Sequence, residues 1–157
     1  GLAHLRGLPL VMLSLHGSPV DDAGLAYLAD LPALRHLDLG ATRVTAASLA
    51  GLARFPALRS VDLGGASIDD DALRELASLP ALEWLDLADT DVSEQGLAEL
   101  ERLPALRYVN LCHTRVTGEE AARSRSAAVR EWVFDRTLYE RMAPGHCPVK
   151  GGATPSR

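Results

Sequence analysis

The chain of 157 residues carries 28 leucines, seven aromatic side chains, 15 arginines and a single lysine, and its 21 acidic against 16 basic residues leave a net charge of −5. That balance lacks the global electrostatic footprint of a nucleic-acid binder, and Arg, Asp or Pro interrupts every leucine cluster well short of the roughly 18–20 apolar residues of a membrane-spanning helix. Size and composition describe one folded domain, neither disordered nor collagenous.

In chain order, Gly1 to Leu8 matches Gly24 to Leu31, so it reads as the second half of a repeat whose strand is missing. The expectation is a C-terminal piece of a longer protein, its first strand paired with an upstream coil; on that reading the lack of a signal peptide carries no information. Next comes Leu10-Val-Met-Leu13-Ser-Leu15. The phrase returns as Leu34-Arg-His-Leu37-Asp-Leu39, Leu58-Arg-Ser-Val61-Asp-Leu63, Leu82-Glu-Trp-Leu85-Asp-Leu87 and Leu106-Arg-Tyr-Val109-Asn-Leu111, each 24 residues after the last. Side chains alternate along a strand, so Leu37 and Leu39 face inward while His36 and Asp38 face outward.

After each strand, Val20, Val44, Ile68, Val92 and Val116 add an inward column, followed directly by Asp21, Thr45, Asp69, Ser93 and Thr117. All five have a side-chain oxygen that accepts an orphan amide at a helix start, and Thr117 with Glu120 forms a capping-box pattern. The apolar spacing then becomes three, as in Leu25/Leu28/Leu31, Leu49/Leu52/Phe55, Leu73/Leu76/Leu79 and Leu97/Leu100/Leu103, which is one face of a short helix. Proline follows at positions 32, 56, 80 and 104 and turns the chain back. No single unit buries its leucines alone, so stability comes from stacking.

These phrases are similar to leucine-rich repeats of the bacterial type, L-x-x-L-D-L-x-x-T-x-V-T-x-x-G-L-x-x-L. The resemblance implies an α/β right-handed solenoid, a horseshoe with a parallel concave sheet and short convex helices, over residues 1–117. It says little about function, because the family is defined by a scaffold. Residues 118–142 are expected to form a degenerate terminal repeat or cap. Within them Val129 to Thr137 aligns with Leu106 to Thr114, making a sixth strand with Trp132 and Phe134 as bulky end cover; one continuous helix over 118–142 is the alternative. The Gly- and Pro-rich residues 143–157 read as a flexible tail.

Outward strand positions form columns across the sheet: Met12, His36, Ser60, Trp84 and Tyr108; Ser14, Asp38, Asp62, Asp86 and Asn110; His16, Gly40, Gly64, Ala88 and Cys112. Arg35, Arg59, Glu83 and Arg107 stand at the strand entrances. Solenoids commonly present this face to ligands, and exposed aromatics dominate interface energies. The expected contact residues are therefore Trp84 and Tyr108, surrounded by His36, Arg35, Arg59, Asp38, Asp62 and Asp86. The aspartates are either a strip for a basic partner or part of the repeat's own pattern, with the arginines offsetting their repulsion.

Cys112-His113 and His146-Cys147 offer four ligand types, but neighbours on a strand face opposite ways, so no metal site is expected; two cysteines define no disulfide framework either. No nucleophile with a base, phosphate-cradling loop or carboxylate pair appears. The expected function is non-enzymatic recognition of a partner protein, without cofactor. A regulatory or substrate-selecting arm of a larger enzyme, of protein-kinase or ubiquitin-ligase type, and a structural spacer are the alternatives. The compartment stays open, with a cytoplasmic one favoured.

Overall fold

The computed structural model describes residues 1–28, 31–117 and 131–133. Its strands are β1 (Met12–Ser14), β2 (His36–Asp38), β3 (Ser60–Asp62), β4 (Trp84–Asp86), β5 (Tyr108–Asn110) and β6 (Glu131–Val133), forming one parallel sheet in chain order. The register carries the period directly: Leu13 lies opposite Leu37, Leu37 opposite Val61, Val61 opposite Leu85 and Leu85 opposite Val109. Trp132 lies opposite Val109, the pairing expected from the alignment of the degenerate sixth strand. From β2 to β4 each strand thus stacks its inward residue on the equivalent residue of its neighbours.

The four connections from β1 to β5 each pass through a short helix: α1 (Asp22–Leu25), α2 (Ala46–Leu49), α3 (Asp70–Leu76) and α4 (Glu94–Leu100). The first two continue as 3-10 turns over Ala26–Leu28 and Ala50–Arg54. The longer α3 and α4 carry Asp70, Asp71 and Glu94 in their first turns, where a negative charge stabilises a helix. By contrast α2 has no acidic residue there, and Gly51 follows where a longer helix would continue.

The four expected caps in this region all form. Asp21 accepts from the Gly24 N–H at 2.9 Å, Thr45 from Ala47 at 3.3 Å, Asp69 from Ala72 at 3.1 Å and Ser93 from Gln95 at 3.4 Å. The cap at Thr117 with Glu120, the domain assignments over 118–142 other than β6, and the tail 143–157 lie outside the described residues.

The leucine, valine and isoleucine columns merge into one core running through all coils. Leu34, Leu58, Leu82 and Leu106 are buried behind the sheet, and Leu31, Phe55, Leu79 and Leu103 close the helix side. Among the described residues the first coil is the open one: Leu2, Leu5, Leu10, Leu13 and Leu15 are partly buried, and Leu8, Val11, Met12 and Tyr27 are exposed.

Two further devices join coils. The Asp22 carboxylate accepts from both the backbone N–H and the hydroxyl of Thr45, at 2.8 and 2.7 Å. Asp70 repeats this on Ser93, at 2.8 and 2.6 Å. Burial acts to raise the Asp22 pKa, but bonds from Thr45 and Ser48 outweigh it and hold the carboxyl below its ordinary value. Asp70→Ala removes a doubly bonded carboxylate and leaves the Ser93 N–H unmet; a loss of about 2 kcal/mol in urea unfolding is expected, and an unchanged midpoint would refute the bridge.

The second device is a left-handed turn after each of β1 to β5, at Gly17, Ala41, Gly65, Asp89 and His113, with φ of 64, 51, 68, 57 and 58°. Glycine adopts this conformation without a Cβ penalty, whereas alanine does not. Ala41→Gly is therefore expected to gain up to about 1 kcal/mol, net of the added freedom of the unfolded chain; thermal unfolding at matched pH checks it, and a lower midpoint would contradict the turn geometry. Nearby, the Thr42, Thr90 and Thr114 hydroxyls donate to the carbonyls of Leu39, Leu87 and Leu111 at 2.6, 2.6 and 2.8 Å, which accounts for the repeated threonine.

Candidate functional site

The solvent-side face of the sheet carries the three expected columns, but exposure falls steeply from β1 toward β5. In the first column Met12 is 68% exposed and His36 is exposed, Ser60 and Trp84 are half-buried, and Tyr108 is only 7% exposed. Trp84 and Tyr108 do meet: their rings stack with centroids 5.7 Å apart and an interplanar angle of 7°. They form a small apolar cluster with Ala88 and Cys112. The pair is thus a half-open tryptophan backed by a buried tyrosine, rather than two exposed rings.

The second column behaves as a chain of strand-ending hydrogen bonds. Asp38 accepts from the Gly40 N–H at 3.0 Å, Asp62 from Gly64 at 2.9 Å, Asp86 from Ala88 at 2.8 Å and Asn110 from Cys112 at 3.1 Å. In each case the side chain folds over its own backbone two residues on, which bends the chain out of the strand. Ala88 and Cys112 make this turn with a Cβ, whereas at Gly40 the neighbouring coils leave no room for one: it would approach His16 Nδ1 to 2.5 Å and Asp62 Oδ1 to 3.2 Å.

Neighbours supply donors at the two ends of the aspartate ladder. Ser14 donates its hydroxyl to Asp38 at 2.8 Å, and the Asn110 amide donates to Asp86 at 2.9 Å. His16 Nδ1 also lies 3.4 Å from Asp38. Asp62 sits between two other carboxylates, in register with both. Burial, and then the charges of Asp86 and Asp38 against the opposing Gly64 N–H, push its pKa from 3.8 up to about 7. Asp62 and Asp86 are 8% and 3% exposed, while Asp38 is half-buried.

The arginines at the strand entrances are not paired with this ladder. Arg59 pairs with Glu83 on the next coil, and among the described residues no ion pair joins Arg35, Arg59 or Arg107 to Asp38, Asp62 or Asp86. The expected internal offset by arginine is therefore replaced by backbone N–H groups, Ser14 and Asn110. The Asp22 and Asp70 bridges escaped the sequence reading altogether; their signal is a carboxylate 23 residues before a Thr or Ser cap.

Cys112 is buried against the aromatic pair, while His113 is exposed with Nδ1 3.2 Å from Asp89. His146 and Cys147 lie outside the described residues, and among the described residues no group of three or more His, Cys, Asp or Glu side chains could hold a metal ion. No described helix is long and apolar enough to cross a membrane.

No protein-family model matches the chain, and no curated protein matches it. Among solved structures, it is similar to leiomodin-1 actin-binding site 2, with a TM-score of 0.57 and 12% identity over 77% of this chain and 78% of that one. It is also similar to the APL1 leucine-rich repeat domain, with a TM-score of 0.51 and 12% identity over 69% of this chain and 34% of that one. The chain spans about a third of that APL1 structure. At such identities the likeness concerns the fold, and with the 24-residue register it establishes a leucine-rich-repeat-like, solenoid-like α/β architecture.

Proposed function

We propose that this chain is a non-enzymatic protein-recognition module, whose partner lies against the open sheet face, the concave side of a horseshoe. The observation that carries the reading is Trp84, half-exposed and stacked on a buried Tyr108. A large ring already immobilised by packing loses little entropy on binding, and such residues are the usual energetic anchors of interfaces. Met12, His36 and Ser60 continue the row from β1 to β3 in register with Trp84, giving a surface wide enough for an extended segment. The buried carboxylates Asp62 and Asp86 are taken up by the turns and by Asn110, which suits a rigid platform better than a site of acid–base chemistry. Their contribution to binding is to hold the platform, with Tyr108, while Trp84, His36, Arg35, Arg59 and Asp38 offer atoms to a partner.

The test is capture of partners by the intact chain, followed by titration of the captured protein against Trp84→Ala. Affinity is expected to fall at least about 30-fold, the loss of one hot-spot aromatic; because the ring also packs on Tyr108 the variant melts lower, so the titration is run at a temperature where circular dichroism shows it folded. Undiminished affinity would rule out the sheet face as the contact surface.

A further inference from the structure

The aspartate column, read along the sequence, suggests an acidic strip for a basic partner, but the structure reverses the polarity of what is accessible. Asp62 and Asp86 are buried and bonded to their own turns, and Asp38 is half-buried with bonds from Ser14 and Gly40. What remains exposed at the strand entrances is Arg35, Arg59 and Arg107. Backbone bonds place these residues on consecutive coils: Arg59 N–H donates to the Arg35 carbonyl at 2.9 Å, Glu83 to Arg59 at 2.8 Å and Arg107 to Glu83 at 2.9 Å. The row is therefore spaced by about one strand separation, roughly 4.8 Å per coil. Glu83 neutralises Arg59, and among the described residues Arg35 and Arg107 are in no ion pair. The row carries three cations and one anion, an excess of positive charge at the strand entrances of a chain whose net charge is −5.

We propose that the partner of this face is an acidic peptide segment, its carboxylates meeting Arg35 and Arg107 while an apolar or aromatic residue rests on Trp84. The proposal builds on the sheet-face reading above and specifies the chemistry of its partner. Arginine suits the task because its planar fork binds a carboxylate through two parallel bonds, and a partner's carboxylate competing for Arg59 would also release Glu83.

The experiment uses the intact chain and two fluorescein-labelled pools of short peptides, in which Glu and Asp, or Lys and Arg, alternate with randomised apolar and aromatic positions. Anisotropy is expected to show the acidic pool binding, more weakly as salt rises, and roughly tenfold more weakly to the double variant Arg35→Glu, Arg107→Glu. Both arginines are exposed, so the thermal melt of that variant should match the parent. Acidic-pool binding that ignores the double substitution, a preference for the basic pool, or no binding of either pool overturns the inference. Trp84→Ala in the same assay separates the two readings. Basic-pool binding that depends on Trp84 keeps the sheet face and discards the acidic partner. Acidic binding that depends on the arginines but not on Trp84 keeps the acidic partner and discards the aromatic anchor.

Discussion

Asp62→Asn should raise stability by about 3 kcal/mol near pH 8 and change it little near pH 4. The sign follows from proton binding. The unfolded chain releases the Asp62 proton near 3.8, whereas the folded protein keeps it until about 7. Between those values the folded state holds the extra proton, so the contribution of this group is fully present below 3.8, declines as pH rises and is lost above about 7. A shift of that size corresponds to an upper bound of about 4 kcal/mol. Asparagine keeps an oxygen for the Gly64 N–H and adds an amide donor, as Asn110 does toward Asp86 two coils on. Denaturant titrations of parent and variant across this pH range give the result by difference, which removes opposing contributions such as that of Asp22. Parallel curves, with the same gap at both ends of the range, would show that Asp62 ionises freely in the fold.

The second large effect is expected from truncating a central inward leucine. Leu85 is fully buried, in register with Val61 on one side and Val109 on the other. Leu85→Ala removes the side chain from a position flanked by packed coils on both sides, and a loss of about 3 to 5 kcal/mol is expected. Leu13 is the same position of the repeat, but it belongs to the open first coil and is only partly buried. Leu13→Ala should therefore cost about 1 kcal/mol, since less apolar area leaves contact. The contrast tests stacking as the source of stability more sharply than either variant alone. Equal losses would mean that each coil is stabilised from within, contrary to a nearest-neighbour array.

The acidic-partner proposal and the pH prediction share one structural cause. Burial removes the Asp62 carboxylate from the binding surface and, with Asp86 and Asp38 beside it, pushes it toward neutrality against the opposing bond from the Gly64 N–H. The same geometry thus takes Asp62 out of an apparent acidic strip, while Arg35, Arg59 and Arg107 stand exposed at the strand entrances.

Much of this was legible before any coordinates. The 24-residue recurrence of the leucine phrase implied strands in register, since only stacked coils bury those leucines. Asp21, Thr45, Asp69 and Ser93 announced helix starts because capping is a local matter between a side chain and an amide two or three residues on. The left-handed turn after the strand was not announced in this way, since Gly17 and Gly65 adopt it but so do Ala41, Asp89 and His113, without glycine's signal.

The tertiary structure alone decided what the outward columns present. Exposure depends on neighbours 24 residues away, so alternation placed Trp84 and Tyr108 on one face but did not reveal that Tyr108 is buried behind Trp84. Nor did it separate the two readings of the aspartates, whose competing partners, arginine or backbone amide, lie at similar sequence distances from the strand. A hint was present in the repeated Asp-Leu-Gly of Asp38 to Gly40 and Asp62 to Gly64, since an aspartate accepting from the amide two residues on is a common turn. Sequence periodicity determined which residues share a face. Packing between coils determined which of their charges remain in water, because burial and hydrogen bonding are sums over neighbours that no single repeat contains.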